Sequence, residues 1–405
     1  MRVFLSCLVC RIVTFVLHKL GRGATSMPGK VALKVKRNVL KDLSKNTKVI
    51  VVTGTNGKTT SCRILEEGLK KAGKSYFINK SGANLITGVT ASFIMNSTVT
   101  GKCKKDYAII ECDENAFKEV SRYIHCDVIL VTNVFRDQLD RYGEVTHTLN
   151  AIKESVKNLP NAIVCLDADC SLTYSMSKEI PNKIITFGVN VPFDKNAKAP
   201  EISDAKYCIF CKHEYDYTYH TYGHLGGFVC NNCGYKRPQP DFAVESVEEM
   251  KNDHSVVVAN LNGDRNIIKV NIGGAYNIYN AIGCAAALTA IGIEQKIIID
   301  AIENFNGAFG RMEHFKAGNN TVNLILVKNP AGFSQTMNFL KSIDDDFTLI
   351  LSLNDNAADG RDISWIWDVD FSGIFDKPNV KELYVTGKRC YDMAVRVKYE
   401  GVGNR

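Results

Sequence analysis

The chain has 405 residues, of which 45% are hydrophobic and 23% charged. That mix, in a chain too long for one core, predicts two or three compact units and excludes a disordered, collagenous, coiled-coil or multi-span membrane protein. The net charge of +7 is lopsided: residues 1–50 hold eleven Lys/Arg and one acid, Asp42, while the other 355 residues sum to −3, so an anionic contact is expected at one end rather than a general nucleic-acid surface.

Residues 3–20 (VFLSCLVCRIVTFVLHKL) are mostly apolar. Arg11 interrupts a run already short for a membrane span, and Gly21-Arg22-Gly23-Ala24 is a poor signal-cleavage site. On a helix, Arg11, His18 and Arg22 form one basic stripe beside a wide apolar face. Two placements stay open: a helix lying in a membrane interface with its cations near anionic headgroups, or a helix docked on the body of the protein. With no cleaved signal, the expected location is the cytoplasm, and in the first case the inner face of the plasma membrane. Residues 1–47 are read as a basic N-terminal segment.

Lys48–Val52 is a β-branched strand, followed by Gly54-Thr55-Asn56-Gly57-Lys58-Thr59-Thr60 and a helical pattern that closes at Gly73. Strand, Gly-rich loop and helix in that order are what a phosphate loop requires, although Val52 stands where the strict pattern has its first glycine. Backbone amides approach phosphate at Gly54 and Gly57, Lys58 reaches the outer phosphates, and the Thr59 hydroxyl suits Mg²⁺. Asp106–Ile110 reads as a second strand running into Glu111-Cys112-Asp113-Glu114, where a carboxylate can take the metal. Asp127–Asn133 reads as a third, leading into Arg136-Asp137-Gln138-Leu139-Asp140.

The G-T-N-G-K-T-T loop resembles the ATP loop of the Mur ligase superfamily, which includes the folylpolyglutamate synthetases. The resemblance implies ATP-driven phosphorylation of a carboxylate, then attack by a nitrogen nucleophile. It makes Thr55, Asn56, Gly57, Lys58, Thr59 and Thr60 ATP contacts, and Thr59 with Glu111 the Mg²⁺ ligands, Glu114 being the second choice. Gln138 stands where that family usually has His. Gly274-Ala275-Tyr276-Asn277 opens a small-residue helix in the manner of the family's Asn motif, with Tyr276 in place of His, so Asn277 is a nucleotide contact by resemblance and a helix cap by itself. Phe309-Gly310-Arg311-Met312-Glu313 resembles the turn that ends the family's central domain, which implies Arg311 on the ATP phosphates.

Fourteen cysteines are too sparse for a disulfide scaffold. Four of them, Cys208, Cys211, Cys230 and Cys233, are spaced C-x₂-C-x₁₈-C-x₂-C. That is the spacing of a tetrahedral Zn²⁺ ribbon, structural because four thiolates leave no open position. A redox dithiol pair is the rival reading. Lys206, Lys212, Lys236 and Arg237 are balanced by Glu201, Asp204, Glu214 and Asp216, which argues against nucleic acid.

Beyond residue 311, strands at Val322–Lys328, Phe347–Leu353 and Glu382–Val385 alternate with helices, predicting a small parallel α/β domain. Asn354-Asp355-Asn356-Ala357-Ala358-Asp359-Gly360 follows the second strand, where such sheets gather ligands, although alone it reads as a solvated turn. Zinc insert and Asp-rich loop together resemble the MurT family of amidating ligase subunits. By that resemblance Asp355, or else Asp359, completes the Cys-His-Asp triad of a GatD-type glutaminase partner, and the substrate is lipid II at the membrane surface. Trp365 and Trp367 either anchor that interface or pack the domain. The family's last domain usually runs further than Arg405.

The expected fold is therefore α/β: a Mur-ligase-type P-loop central domain over 48–310, with a zinc ribbon at about 201–240, and a smaller parallel α/β domain over 311–405. The expected function is an ATP-dependent, amide-forming ligase subunit acting on the D-glutamate α-carboxylate. The rivals are an amino-acid-adding Mur or folylpolyglutamate ligase and a non-enzymatic nucleotide-binding ribbon protein.

Overall fold

The computed structural model describes every residue except 22–25, 80–82, 137–144, 194–203, 252, 306–311, 319, 342, 357–358 and 403–405. Fifteen strands are seen among the described residues: β1 (Lys48–Thr53), β2 (Tyr76–Ile78), β3 (Tyr107–Glu111), β4 (Val128–Val131), β5 (Ile163–Asp167), β6 (Ile184–Val189), β7 (Asp216–His220), β8 (Gly226–Val229), β9 (Phe242–Met250), β10 (Ser255–Leu261), β11 (Asp264–Val270), β12 (Met312–Ala317), β13 (Asn320–Ile325), β14 (Phe347–Ser352) and β15 (Val380–Thr386).

Nine of them form one sheet in the order β11-β10-β9-β6-β5-β4-β1-β3-β2, parallel from β2 to β9 and antiparallel beyond. The reason lies in the strand sequences. Val49, Ile50, Val51 and Val52 are all fully buried, the unalternating pattern of a strand covered on both faces. Helix Ala275–Ala290 packs on β4, β5, β6 and β9 and on helix Lys58–Lys71. Every residue from Asn277 to Leu288 is buried, and its Ala, Gly and Cys side chains let it lie close to sheet and helix alike.

The N-terminal helix spans Arg2–Lys19 and packs on helices Met27–Val35 and Ile86–Met95. Its expected basic stripe does not form a single outward face, because Arg11 turns inward. Arg11 Nη2 donates to the Ile94 carbonyl at 3.1 Å and to that of Ser97, because the end of helix Ile86–Met95 leaves carbonyls without helical partners. His18 is exposed, and Arg22 lies outside the described residues. Among the described residues, no helix is long and apolar enough to cross a membrane.

The C-terminal region holds the parallel pair β14–β15, covered by helices Pro330–Lys341 and Cys390–Tyr399 around a separate core with Phe371 and Ile374 fully buried. The strand expected at Val322–Lys328 pairs differently. As β13 it runs antiparallel to β12, Met312 opposite Ile325. Two strands joined by so short a Gly-containing turn form a hairpin before either can reach a parallel neighbour.

Candidate active site

The phosphate loop leaves β1 at Thr53 and enters helix Lys58–Lys71 through Gly57, whose φ is +85°. A Cβ there would also sit 2.1 Å from Asn280 Oδ1, so the position requires glycine twice over. The loop is clamped from the neighbouring strand. The register of β1 on β4 sets Thr53 beside Val131, which brings Thr132–Phe135 alongside. Thr55 N donates to Asn133 O at 2.9 Å, Asn56 N to Asn133 Oδ1 at 3.0 Å, and Thr132 Oγ1 to Asn56 O at 2.7 Å. Phe135 N donates to Thr55 Oγ1 at 3.1 Å, which in turn donates to Phe135 O at 3.2 Å.

Two acids meet the loop and divide its polar groups. Glu111 ends β3, with its backbone pinned by Asn79: Glu111 N donates to Asn79 Oδ1 at 2.8 Å and Asn79 Nδ2 to Glu111 O at 2.9 Å. The Thr59 hydroxyl donates to Glu111 Oε1 at 3.1 Å. Asp113 caps the next helix by accepting from Asn115 N and Ala116 N at 3.1 and 3.4 Å, and this turns Glu114 toward Lys58. Their ion pair is 3.1 Å long, with side chains 7% and 3% exposed. Burial pushes the Glu114 carboxyl above the usual range, against the pull of Lys58. Thr59 and Glu111 thus form an oxygen pair suited to a hard cation, while Glu114 serves the lysine.

Asn277 is the third residue of its helix rather than the cap, which is Gly274. Its Nδ2 donates back to Gly273 O at 2.7 Å, and Asn280 Nδ2 donates to its Oδ1 at 2.9 Å. Asn277 faces a cavity it shares with Asn56, Gly57, Thr60 and, from the C-terminal region, Asn329 and Gln335. Asn329 Nδ2 donates to Asn56 Oδ1 at 2.9 Å, and Arg136 Nη1 to Asp368 Oδ2 at 2.9 Å, so two polar links tie the phosphate-loop side to that region. Arg311 and the Asp137–Gly143 motif lie outside the described residues.

The four cysteines converge, with every sulfur within 4.8 Å of the others. The two C-x-x-C turns repeat one backbone pattern. Lys212 N donates to Cys208 O at 2.9 Å and Cys208 N to His213 O at 2.7 Å; Gly234 N to Cys230 O at 2.9 Å and Cys230 N to Tyr235 O at 2.8 Å. Lys212 (φ +63°) and Gly234 (φ +75°) hold the same left-handed place. Hydrogen bonding from the Asn232 side chain draws the Cys211 thiol down to about 6. Four converging thiols on matched turns fit a tetrahedral soft-ligand metal site.

The ribbon is seated on the sheet. Arg237 Nε donates to the buried Asp169 Oδ1 at 2.6 Å, and Tyr235 OH to Ser171 O at 2.7 Å. Its arm between β7 and β8 reaches the active site. Tyr222 stacks on Phe135 with ring centres 5.8 Å apart and lines the cavity. His224 lies 4.4 Å from the same ring and 3.3 Å from Cys170 Sγ. Sequence reasoning passed over Asn79, Asn133, Phe135, Tyr222 and Asn329. For Asn133, Phe135 and Asn329 the signal was their place at or just after an expected strand; Asn79 and Tyr222 carried none.

Asp355 follows β14 on the rim of the C-terminal region, 29% exposed, 3.4 Å from Arg389 Nη1 and 4.0 Å from Lys388 Nζ. Asp359 accepts from Asn356 N and Nδ2 at 3.3 and 2.7 Å and so braces the turn. Trp365 packs on Phe333, whereas Trp367 is 47% exposed beside the exposed Tyr399.

Comparison with known proteins agrees with this geometry. The family descriptions that match are "Mur ligase middle domain" over residues 52–233 and "MurT ligase C-terminal" over residues 326–405. The chain is 36% identical to the MurT subunit of lipid II isoglutaminyl synthase (glutamine-hydrolyzing) of Streptococcus pneumoniae, over 99% of this chain and 88% of that one. It is 32% identical to the subunit of the same name from Staphylococcus aureus strain N315, over 93% and 83%. The fold is shared with a pseudomurein peptide ligase type C from Methanothermus fervidus (TM-score 0.64, 20% identity, 87% and 79% covered) and with Thermotoga maritima MurF ligase in complex with ADP (TM-score 0.57, 13% identity, 92% and 83% covered). Fold, site and full-length similarity together make this chain a member of the MurT family of ligase subunits, built on the Mur ligase fold.

Proposed function

We propose that the chain is the ATP-dependent ligase subunit that amidates the D-glutamate α-carboxylate of lipid II to D-isoglutamine. The carrying observation is the pairing of Thr59 with Glu111 beside Lys58 in a chain 36% identical to a MurT subunit along nearly its whole length. Residues 1–47 are the basic segment, 48–310 the ATP-binding domain with its ribbon, and 311–405 the domain that meets the partner. ATP lies on Thr55–Thr60, with Asn277 and Arg311 completing its contacts. Thr59 and Glu111 hold Mg²⁺, which when bound offsets charge on the phosphates. A substrate carboxylate oxygen attacks the γ-phosphorus and the bond to ADP breaks. Ammonia then attacks the acyl carbon, the C–O bond breaks, and phosphate leaves with loss of a proton. Lys58 and the amides of the helix start face the developing charge.

Cys208, Cys211, Cys230 and Cys233 hold a structural Zn²⁺. Ammonia comes from a GatD-type glutaminase, whose histidine Asp355 orients; the half-exposed Trp367 near this rim supports an interface there. The lipid-linked substrate sets the work at the cytoplasmic face of the membrane, with the chain peripheral to it. The deciding experiment is mass spectrometry of lipid II incubated with the protein, ATP, Mg²⁺ and ammonium. An ATP-dependent conversion of carboxylate to amide that Lys58→Ala abolishes is expected. Addition of an amino acid in place of ammonia would refute the amidation reading in favour of an amino-acid-adding ligase.

A further inference from the structure

The N-terminal helix buries one face and leaves the other bare. Ser6, Cys7 and Cys10 are buried against the body, and Arg11 is tied to carbonyls at the end of helix Ile86–Met95. On the outer side Phe4, Leu5, Leu8, Ile12, Phe15 and Val16 are 36–62% exposed, and Leu20 is 65% exposed. These recur at helical spacing, so they form one stripe about 24 Å long. Soluble surfaces rarely carry so continuous an apolar strip without a partner.

Charge identifies that partner. The first 65 residues contain a single acid, Asp42, and it is occupied by an ion pair with Lys36. The exposed Lys and Arg side chains of this helix and of the helix packed against it, Arg2, Lys19, Lys30 and Lys34, have no exposed acid among them on either helix. Lys19 Nζ stands 5.0 Å above the Phe15 ring, a cation poised over the apolar face. A second copy of this chain seated on the stripe would set these cations against their own kind. A surface that is apolar within and anionic around satisfies both features, and that is a bilayer with acidic headgroups.

We propose that the outer face of helix Arg2–Lys19 docks on an anionic lipid bilayer, its apolar stripe entering the headgroup boundary while the helix lies flat. The inference deepens the reading above and rests on it for the lipid-linked substrate.

The test is cosedimentation of the full chain with phosphatidylcholine vesicles, with and without phosphatidylglycerol, at low and high salt. Binding that needs phosphatidylglycerol and weakens with salt is expected, and the double variant Ile12→Asp, Phe15→Asp should bind at least about tenfold more weakly. Both positions face solvent, so ATP binding and the thermal melt should match the parent and exclude misfolding. No binding to acidic vesicles, or equal binding by the variant, overturns the proposal. Loss of glutaminase binding by the variant, with no vesicle binding by the parent, overturns it in favour of a protein occupant. A water-soluble stem peptide separates the two readings: the variant should amidate it at the parental rate, whereas failure of both proteins on that peptide and on lipid II sinks the functional reading alone.

Discussion

Lowering the pH should unseat the ribbon arm through one side chain, His224. It is 1% exposed, wedged between the Phe135 ring and Cys170 Sγ. Burial pulls its imidazole down to about 4 from 6.5, with Asp204 opposing weakly. In the unfolded chain the ring protonates near 6.5, whereas in the folded chain it stays neutral down to about 4. The unfolded state therefore binds more protons across that window. The resulting stability is fully present above pH 6.5 and is lost as pH falls to about 4, and the full interval is worth about 3 kcal/mol. Urea unfolding from pH 7.5 to 4 measures it in the parent and in His224→Gln. The variant costs stability of its own at every pH, but the prediction concerns the slope, from which a constant cost drops out. The parent should lose about 3 kcal/mol more than the variant over the window. His220, also lowered by burial, titrates in both proteins and cancels. Parallel curves would refute the account of a buried neutral imidazole.

Phe135→Ala should lower the unfolding free energy by about 3–5 kcal/mol and weaken ATP binding as well, since its ring stacks on Tyr222, which lines the cavity beside the phosphate loop; calorimetric titration with unchanged affinity would break the link. Glu111→Gln should abolish Mg²⁺-dependent turnover while unfolding shifts by less than about 1 kcal/mol, so a large loss of stability would make Glu111 a structural acid. Cys230→Ser should purify with far less than one equivalent of metal and melt lower; a full complement of metal by elemental analysis contradicts the four-thiolate site. Asp355→Asn should keep ammonium-driven amidation and lose the glutamine-driven reaction of the complex by about three to four orders of magnitude, whereas equal loss of both would move Asp355 into the ligase site.

Local features were legible in the sequence because their causes are local. The β-branched run of β1, the Gly-Lys-Thr helix start and the paired C-x-x-C turns each declare themselves within ten residues. What escaped depends on which strands become neighbours. Asn133 and Phe135 clamp the phosphate loop only because β4 lies beside β1, and no spacing rule links residues 55 and 135. Arg11 was read as one of a basic stripe, but the carbonyls that turn it inward belong to residues 94 and 97, more than eighty positions away. The resemblance favoured Glu111 over Glu114 as the metal acid, but the ion pair of Glu114 with Lys58, next to the Asp113 cap, was not legible, because it joins residues 56 positions apart.

The close fit of helix Ala275–Ala290 against helix Lys58–Lys71 has a dynamic consequence. Asn280 fills the space over Gly57, and Leu288 lies against Gly68, where even a methyl group would collide at 2.5 Å. Packing of that density admits no sliding. The loop amides and Asn277 must therefore travel as one rigid body, and the cavity they share cannot open by loop motion alone. Among the described residues, the C-terminal region meets the phosphate-loop side through contacts that include Asn56–Asn329 and Arg136–Asp368. If the C-terminal region moves during turnover, Asp355 moves with it. Hydrogen exchange should find the two helices protected whether or not ATP is added, and the response to ATP concentrated at residues 326–332 and 366–370.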